Sequence, residues 1–591
     1  MRLLSRLLII VGLSHGGGFL CGKTTKETNM QILARSQTPE RKIRPRLTRS
    51  NLNSPILGFT RSMDMVRERD IYRSIGIDGA SGSGKSSGPF ETLARACWEK
   101  RPHQHGALIL SAKPNSRMNM VQIARAAGRG DDEIIVSATS GHYFDFVNYA
   151  MKHALPGAGI EDALTEVNNA VEAVNRNDGT KGGDEFFMNA GKVLLRACMT
   201  ICKAAMGRID MVAVRRMIQS MPPNFEALGR PDQYEAVRML GRALENRGSA
   251  TDIQLDMAVD YVTTEWPNLS PETASSIQVT ATTKLAPLFN TPVFEFLFQR
   301  KGTEITPEQI LEEGKLVFLD FPPTIHRAES RAIGVVFKQA LQKAGLRRLD
   351  DYAGRENELI PAGIWLDECQ NWLTDFDIEA LERGRASRIY HVLAYQGLAS
   401  LENGYGGGDI GRGKAEALLL NVNLRFICAQ TCWKTREANS KLFGQYEIVV
   451  KSESESENAS TNGVNRGHSV NRSEHLKYIV PERVFIGLCK GDGGVVETVF
   501  FKGGDKFKEN GKHYLLLRFR QNSWSTRLEW LKEKRPEAIS FVGYVSAKFV
   551  LKTFGERGWK EGKRVLDHWY KFWTCYLGMI YENGGATPHG R

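Results

Sequence analysis

The sequence predicts an α/β protein with a mainly parallel sheet, an inserted all-α domain and a helical C-terminal extension. Apolar runs recur along the chain and helical stretches separate most of them, an alternation typical of parallel sheets covered by helices on both faces. The runs are unbroken, as expected for strands that are buried on both sides. At 591 residues the chain is long enough for two or more domains. The predicted strands cover residues 107–112, 133–138, 315–321, 362–368, 389–395 and 424–430.

Composition and periodicity divide the chain into five expected segments. Apolar residues at helical spacing over 184–207 and 231–246 indicate the all-α insertion. The polar, low-complexity stretch 452–474 is predicted to be a mobile loop, and the β-type runs 495–501 and 513–519 follow it. The segments are a basic N-terminal tail (1–50), the first part of the sheet domain (51–157), the insertion (158–295), the second part of the sheet domain (296–519) and the C-terminal extension (520–591).

Positive charge is concentrated near the N-terminus. The formal net charge is +12, and residues 1–73 hold 14 Lys and Arg against 5 Asp and Glu, which accounts for nine of the twelve charges. The densest part is 41–49. Such a run could bind nucleic acid or an anionic membrane surface, or could be merely a solvated tail, and both alternatives stay open.

The apolar run from Leu7 to Leu13 is far shorter than the ~20 residues of a membrane helix. No convincing small-x-small signal cleavage site follows it. We therefore interpret it as a tail in contact with a membrane surface. The nine cysteines include no C-x-x-C pair, and the two pairs spaced by four have no nearby histidine pair, so buried reduced thiols are favoured over a metal site. Reduced thiols suit a cytoplasmic protein.

A phosphate-binding loop follows the first strand. Residues 79–86 fit the pattern G-x-x-x-x-G-K-[ST], with a β-type run before them and a helical stretch after them. Backbone N–H groups of such a loop bind polyphosphate, the lysine reaches the β- and γ-phosphates and the serine holds Mg²⁺. ATP and Mg²⁺ are thus the predicted cofactors, and a glycine-rich turn that binds nothing is the alternative. The predicted nucleotide-binding residues are Gly79, Ser81, Gly82, Ser83, Gly84, Lys85, Ser86 and Ser87.

Two buried strands end in an acidic residue that could complete this site. Asp320 is followed by a phenylalanine and two prolines, so it has no second carboxylate beside it. Asp367 is followed directly by Glu368. We predict that Asp367 holds Mg²⁺ together with Ser86 and that Glu368 polarises the attacking water. Asp320 is interpreted as a strand-end residue beside the site.

The next strand supplies further candidates for the reaction. Lys85 and Asp367 lie 282 residues apart with a helical region between them, which favours a polymer-handling motor over a small kinase. Gln396 ends the strand 389–395, where its amide could contact the γ-phosphate. An arginine can neutralise charge on that phosphate, often from a neighbouring subunit, and a solvated helix end is the alternative. The candidate arginines are Arg383, Arg385 and Arg388.

Four stretches, in order, resemble the ATPase pattern of type IV secretion coupling proteins, the TraG/TraD-type conjugative DNA-transfer ATPases of the FtsK–HerA class. They read GASGSGKSSGP, WLDECQNW, GRASRIYHVLAYQGLASLENGYG and ALLLNVNLRFICAQTCWKTREANSKLFG. The resemblance covers roughly residues 50–505. Two of its features are more specific than the phosphate loop: the glutamine strand, and the segment that carries Asn421, Asn423, Thr435, Glu437 and Gly444.

The resemblance implies a RecA-like P-loop motor with an inserted all-α domain, assembled as a hexameric ring. Such rings pump DNA, usually single-stranded with an attached relaxase, towards a secretion channel at the cytoplasmic face of the inner membrane. It also implies residue roles: Lys85 and Ser86 form the Walker A pair, Asp367 and Glu368 the Walker B pair, Arg385 the trans-acting arginine and Gln396 the sensor glutamine.

The chain departs from that family in places, and two other functions remain open. Many coupling proteins begin with two membrane-spanning helices, which this sequence lacks, and Lys113 stands where many have a nearby acid. Lys113 could contact DNA or a neighbouring subunit, and the extension 520–591 could bind a partner. The alternatives are a double-stranded DNA pump of the same class, for segregation or packaging, and a non-catalytic nucleotide-binding scaffold.

Overall fold

A computed structural model describes most of the chain between its two terminal segments. The predictions for the tail 1–50 and for nearly all of the extension 520–591 lie outside the described residues. The described residues are 52–58, 64–99, 105–175, 185–247, 252–289, 291–460, 463–491 and 494–521.

The strands are short, and most coincide with the apolar runs of the sequence. They are β1 (Pro55–Gly58), β2 (Met65–Arg67), β3 (Ile75–Asp78), β4 (Gly106–Leu110), β5 (Glu133–Val136), β6 (His142–Tyr143), β7 (Thr303–Glu304), β8 (Leu316–Leu319), β9 (Ala362–Asp367), β10 (Ile389–Tyr395), β11 (Leu424–Ile427), β12 (Gln445–Ser460), β13 (Gly463–Tyr478), β14 (Val495–Lys502) and β15 (Tyr514–Arg520).

One large sheet organises the described residues. Its nine strands lie in the order β15-β14-β11-β3-β10-β9-β4-β8-β5. The strands from β11 to β5 pair in parallel, and β14 and β15 add two antiparallel strands at one edge. Every residue of β3, β4, β8, β9 and β10 is buried. Because these strands carry apolar side chains on both faces, helices cover both faces of the sheet, and the α/β prediction is confirmed.

The helices surround this sheet and fill the long interval between β5 and β8. They are α1 (Glu68–Ile71), α2 (Glu91–Trp98), α3 (Pro114–Ala126), α4 (Phe146–His153), α5 (Gly159–Asn175), α6 (Glu185–Met206), α7 (Met211–Gln219), α8 (Glu235–Arg247), α9 (Ile253–Asp260), α10 (Pro271–Leu285), α11 (Thr291–Phe298), α12 (Pro307–Leu311), α13 (Pro323–Asp351), α14 (Asp375–Arg383), α15 (Leu398–Gly404), α16 (Gly408–Leu420), α17 (Trp433–Leu442) and α18 (Arg483–Ile486). Among the described residues, no helix combines the length and apolar character that crossing a membrane requires.

Helices α5 to α11 cover the region that the sequence predicted as an insertion, residues 158–295, and α4 precedes it. The short strands β6 and β7 flank them and pair in parallel, with His142 opposite Thr303. Buried apolar side chains of α5, α6, α8 and α10 belong to the same core as one face of the large sheet. The division into a sheet domain and a separate all-α domain stays a prediction.

The stretch predicted as a mobile loop forms a long hairpin instead. Strands β12 and β13 pair antiparallel from Gln445–Tyr478 to Ser460–Gly463. Serine hydroxyls of Ser454 and Ser469 meet across the two strands at 2.7 Å. The described middle of the hairpin, residues 451–456 and 468–477, is exposed on both faces. Its strands therefore lack the apolar alternation by which a strand is recognised in a sequence, which is why the prediction of a loop was wrong.

Aromatic side chains fix the helix after the phosphate loop against the sheet. Phe90, just before α2, and Trp98, at the end of α2, both pack edge-on against Trp365 of β9, with ring centroids 5.4 Å apart in each pair. All three side chains are fully buried. Edge-to-face pairs of this kind stabilise a fold by about 0.5–1.5 kcal/mol beyond their buried area. They hold the phosphate loop and the acidic pair at a set separation.

Candidate active site

The glycine-rich loop joins β3 to a turn of π-helix, Ser86–Phe90, that leads into α2. Gly82 and Gly84 have φ angles of 73° and 83°, a left-handed conformation that glycine adopts without strain. The ammonium of Lys85 is buried and donates to the carbonyl oxygens of Gly79 at 2.7 Å and Ala80 at 3.2 Å. The loop therefore has the curled backbone that its sequence predicted.

The interior of the loop fits a polyphosphate. A Cβ atom added at Gly79 would lie 2.4 Å from the Ser83 hydroxyl and 2.7 Å from Cβ of Cys428, and one at Gly84 would lie 2.3 Å from Val496. Within the described residues the buried Ser83 hydroxyl has no hydrogen-bond partner. A buried polar atom without a partner costs free energy, and a phosphate oxygen would supply that partner.

The predicted metal-binding residues lie together. The hydroxyl of Ser86 donates to Oδ1 of Asp367 at 3.1 Å, and the hydroxyl of Ser116 donates to Oδ2 of the same carboxylate at 2.8 Å. Burial raises the pKa of Asp367 against the lowering effect of these hydrogen bonds. A hydroxyl and a carboxylate are the oxygen ligands that Mg²⁺ takes in phosphoryl-transfer sites, so this pair fits the predicted ion.

Ser116 was missed by the sequence analysis. It lies in the first turn of α3, directly after β4, in the stretch from which only Lys113 had been singled out. The structure places Lys113 at the N-cap of that helix, exposed. A serine in a helix carries no motif of its own. The signal that would have found it is its place just after a strand that neighbours β9, where the carboxyl ends of parallel strands meet.

Glu368 follows β9 in an unusual backbone conformation. Its φ and ψ are 59° and 58°, and its side chain is 8% exposed. The amide of Gln370 donates to its Oε2 at 2.9 Å. Left-handed backbone at a residue other than glycine costs of order 1–3 kcal/mol and clusters at functional sites. The turn places this carboxylate beside Asp367.

Asp320 has a different partner. It follows β8, which is separated from β9 by β4, and its carboxylate forms an ion pair with Arg117 of α3. Its backbone N–H donates to the carbonyl oxygen of Val136 at 2.7 Å. The assignment of Asp367 and Glu368, rather than Asp320, to the reaction stays a prediction that agrees with these contacts.

Gln396 lies at the same edge of the sheet as the phosphate loop. It directly follows β10, the strand between β3 and β9, and its side chain is exposed. Its carbonyl oxygen accepts a hydrogen bond from the buried amide of Gln430 at 2.9 Å. The predicted sensor position is thus next to both halves of the site.

Arg385 lies at the opposite edge of the sheet. It comes four residues before β10, whereas Gln396 comes directly after it, and the seven residues of β10 span roughly 23 Å at ~3.3 Å per residue. Arg385 is exposed and lines a cavity of about 470 Å³ together with Arg73, Asn421 and Asn423. The structure therefore does not bring Arg385 to the phosphate loop of its own chain.

The other arginines of this turn have partners in the chain. Arg383 pairs with Glu379 at 2.7 Å on the exposed face of α14. Arg388, which has a φ of 57°, is buried and stacks over the ring of Tyr72 with 5.1 Å to the centroid. A solvated helix end accounts for Arg383, and packing accounts for Arg388. Of the three, Arg385 alone forms neither an ion pair nor a ring contact with another residue of the described ranges.

A buried ion pair holds the start of α14, the helix that leads to Arg385. Lys338 of α13 is fully buried and contacts the carboxylate of Asp377, which is 2% exposed. The same ammonium donates to the carbonyl oxygen of Trp372 at 2.6 Å, and Asp377 also accepts from the backbone N–H of Thr374 at 2.7 Å. Lys338 thus contacts both the turn after Glu368 and the first turn of α14.

The segment from β9 to the second strand of the hairpin matches a known family. Residues 361–484 match the family model described as the TraM recognition site of TraD and TraG. This segment is therefore similar to that region of TraD and TraG. The resemblance seen in the motifs is confirmed over this range, which contains Asp367, Glu368, Arg385 and Gln396.

Solved structures of similar fold include conjugation proteins. The bacterial conjugative coupling protein TrwB, unbound, is 15% identical, with a TM-score of 0.48 over 79% of this chain and 88% of that chain. TrwB in complex with ADP and Mg²⁺ is 14% identical, with a TM-score of 0.48 over 81% and 91%. VirB4 of Thermoanaerobacter pseudethanolicus is 11% identical, with a TM-score of 0.38 over 79% and 95%. No curated protein sequence matches.

Proposed function

We propose that this protein is an ATPase that translocates DNA to a type IV secretion channel during conjugation. The observation that carries the proposal is the contact of Ser86 with Asp367, which joins the phosphate loop to the TraG/TraD-type segment. Lys85 and Glu368 complete the set of side chains that hydrolysis requires. A scaffold without activity would have no need of this set.

ATP and Mg²⁺ would bind between the phosphate loop and the ends of β9 and β10. Backbone N–H groups of the loop and Lys85 hold the β- and γ-phosphates, and Ser86 and Asp367 hold the ion. When bound, Mg²⁺ neutralises charge on the phosphate oxygens. Glu368 orients the attacking water and accepts its proton. Gln396 lies where an amide contacts the γ-phosphate and reports its loss.

The active unit is a homo-oligomeric ring, most simply a hexamer, in which Arg385 acts on the neighbouring subunit's nucleotide. The position of Arg385, a strand length from its own phosphate loop, supports this assignment. An arginine brought to the γ-phosphate neutralises the charge that develops in the transition state. Each site then takes residues from two chains.

The transported substrate is DNA, single-stranded with a bound relaxase. A formal net charge of +12 favours sequence-independent contact with phosphates. The family description, a TraM recognition site, supports a further contact with a TraM-type protein, and secretion-channel components are the receiving partners. This function places the protein in the cytoplasm, at the inner face of the inner membrane.

The experiment that tests the proposal measures ATP turnover with and without DNA. Single-stranded DNA should stimulate turnover more than duplex DNA of equal length. Greater stimulation by duplex would favour the double-stranded pump, and no turnover with any DNA would favour the scaffold. The Lys85→Ala variant is the matched control, because it removes the phosphate contact and leaves the surface charge elsewhere unchanged.

A further inference from the structure

One buried side chain joins three elements around the phosphate loop. The amide nitrogen of Gln430, which follows β11, donates to Oδ1 of Asp78 at 3.0 Å and to the carbonyl oxygen of Gln396 at 2.9 Å. Its amide oxygen accepts from the backbone N–H groups of Thr431 at 3.0 Å and Cys432 at 3.2 Å. Every hydrogen-bonding group of this side chain is therefore used.

The partners of the Gln430 amide nitrogen lie next to the phosphate loop and at the predicted sensor glutamine. Asp78 is the last residue of β3 and directly precedes the phosphate loop, and it is 2% exposed. Asn439 of α17 donates to its second oxygen, Oδ2, at 2.6 Å. The hydroxyl of Thr435, one turn earlier on α17, accepts from the N–H of Leu398 at 3.3 Å. Helix α17 is thus bonded both to the base of the phosphate loop and to the chain just beyond Gln396.

The backbone at Gly397, directly after Gln396, packs closely against this cluster. A Cβ atom added at Gly397 would lie 2.9 Å from the Thr435 hydroxyl and 3.5 Å from the Gln430 amide nitrogen. Gln430 itself is 2% exposed. Gln396, by contrast, has an exposed side chain. Buried hydrogen bonds therefore fix the backbone at Gln396, while the Gln396 side chain is exposed at the edge of the sheet.

We propose that Gln430 is a positioning residue that fixes the backbone of Gln396 at a set distance from the phosphate loop. The inference rests on the proposed function, in which Gln396 contacts the γ-phosphate. A neutral amide is required at this position, because it must offer two donors and an acceptor at once. A carboxylate would lack the donors, and an apolar side chain would lack both. Misplacement of a contacting group by about 1 Å can cost on the order of 10²-fold in rate.

The first test is the Gln430→Met variant, which keeps the length of the side chain and removes its hydrogen bonds. We expect kcat for ATP to fall about 10- to 100-fold with KM little changed, because ground-state binding by the loop is retained. Gln278→Met is the matched control. The Gln278 amide donates to the carbonyl oxygen of Ile218 at 2.9 Å in the helical region, away from the phosphate loop. This substitution should lower thermal stability without a selective loss of kcat.

The second test separates the two bonds of the Gln430 amide nitrogen. In the double variant Asp78→Asn/Gln430→Glu, the introduced amide donates to the introduced carboxylate and still accepts from Asn439. The link to the phosphate loop is then restored, but nothing donates to the carbonyl oxygen of Gln396. We expect a Tm above that of Gln430→Met, because the bond to residue 78 is restored, and a kcat as low as that of Gln430→Met, because the carboxylate repels the carbonyl oxygen of Gln396. Should Gln430→Met fail to fold, this double variant carries the test alone.

The outcomes distinguish this inference from the proposed function. Recovery of both Tm and kcat in the double variant would show that the bond to Gln396 is dispensable and would overturn the inference. A normal kcat in Gln430→Met, beside an active parent protein, would do the same and leave the proposed function standing. A parent protein without any turnover would overturn the proposed function and this inference together.

Discussion

The hydroxyl of Ser86 lies 3.1 Å from the carboxylate of Asp367, although 281 positions separate the two residues in the sequence. Ser86 begins the turn after the phosphate loop and Asp367 ends β9. Their contact brings the two predicted halves of a metal site together within one chain. It also places Glu368, the next residue, at the rim of the same site, and this defines the first prediction.

Glu368→Gln should bind ATP with Mg²⁺ but turn it over slowly. The amide can orient a water molecule but cannot accept its proton, so the loss should be mainly in kcat. Nucleotide binding by fluorescence and turnover by phosphate release, measured on the same preparation, give the two quantities. Lys85→Ala should instead weaken binding itself.

Asp320→Asn is the matched control for that substitution. It also replaces a strand-end carboxylate by an amide, but it breaks the ion pair with Arg117 rather than a contact with the phosphate loop. We expect most of the turnover to remain. Full turnover in Glu368→Gln together with lost turnover in Asp320→Asn would reverse the assignment of the two strands.

Arg385→Ala should bind ATP nearly normally and hydrolyse it poorly. An arginine supplied to a γ-phosphate is worth a factor of roughly 10³–10⁵ in well-studied phosphoryl transfer. Mixing this variant with Lys85→Ala should restore part of the activity, because some interfaces then join an intact loop to an intact arginine. ATPase activity as a function of the mixing ratio is the measurement. No recovery at any ratio, with subunit exchange shown independently, would exclude action between subunits.

DNA binding should weaken steeply with salt and depend little on sequence. Phosphate contacts release counterions, so the slope of log affinity against log salt counts the phosphates neutralised. Fluorescence anisotropy with two unrelated oligonucleotides at several salt concentrations measures both properties. A flat salt response would contradict the DNA-pump function.

Deletion of residues 1–50 tests the basic tail. Unchanged DNA binding and lipid binding in this variant would show that the tail has no role in either.

The stability of the protein should carry a pH-dependent contribution from Asp78. Burial raises the pKa of Asp78 from 3.8 to about 6, against the lowering effect of hydrogen bonds from Asn439 and Gln430. Because the folded-state pKa is raised, the contribution is present below pH 3.8 and is lost as the pH rises through about 6. The shift corresponds to about 3 kcal/mol.

Asp78→Asn isolates this contribution, since the amide does not titrate. The free energy of unfolding of the parent minus that of Asp78→Asn should fall by up to about 3 kcal/mol between pH values on either side of that window. Denaturant titrations of both proteins at matched ionic strength provide the difference. A difference that is constant with pH would contradict the assignment of the shift to Asp78.

Lys338→Met should destabilise the fold strongly. It leaves the buried carboxylate of Asp377 without its cation, and breaking a buried pair from one side typically costs about 3–5 kcal/mol. Arg383→Met is the matched control. Arg383 and Glu379 form an exposed ion pair within α14, and exposed ion pairs contribute little to the free energy of unfolding. Equal effects of the two substitutions on the free energy of unfolding would show that the Lys338 pair is not the stronger one.

The sheet and half of the site could be predicted because their signals are local. Most strands of the parallel sheet are short, mainly apolar runs, and Gly82, Gly84 and Lys85 lie within one short motif. Asp367 and Glu368 are adjacent and end such a run. Patterns of this kind report backbone periodicity and loop chemistry, which neighbouring residues determine.

The remaining residues of the site could not be predicted, because their partners are set by the order of strands. Gln430 meets Asp78 across 352 positions only because β11 lies directly beside β3. Ser116 meets Asp367 across 251 positions because β4 lies beside β9. Neither residue belongs to a local pattern. The hairpin was missed for a different reason: its described middle, residues 451–456 and 468–477, is exposed and mainly polar, so the sequence there lacks an apolar period.

The opposite placement of Arg385 and the phosphate loop has a consequence for small assemblies. In the proposed ring, Arg385 of one subunit meets the phosphate loop of the next, so two joined subunits use different surfaces. Such a pair completes one site and leaves the other without its arginine. An open arc of subunits always ends in one such idle site, and only closure of the arc removes it. A subunit carrying both Lys85→Ala and Arg385→Ala would silence two sites at once, its own and the one it serves. Turnover per chain should therefore rise with protein concentration until closure is complete.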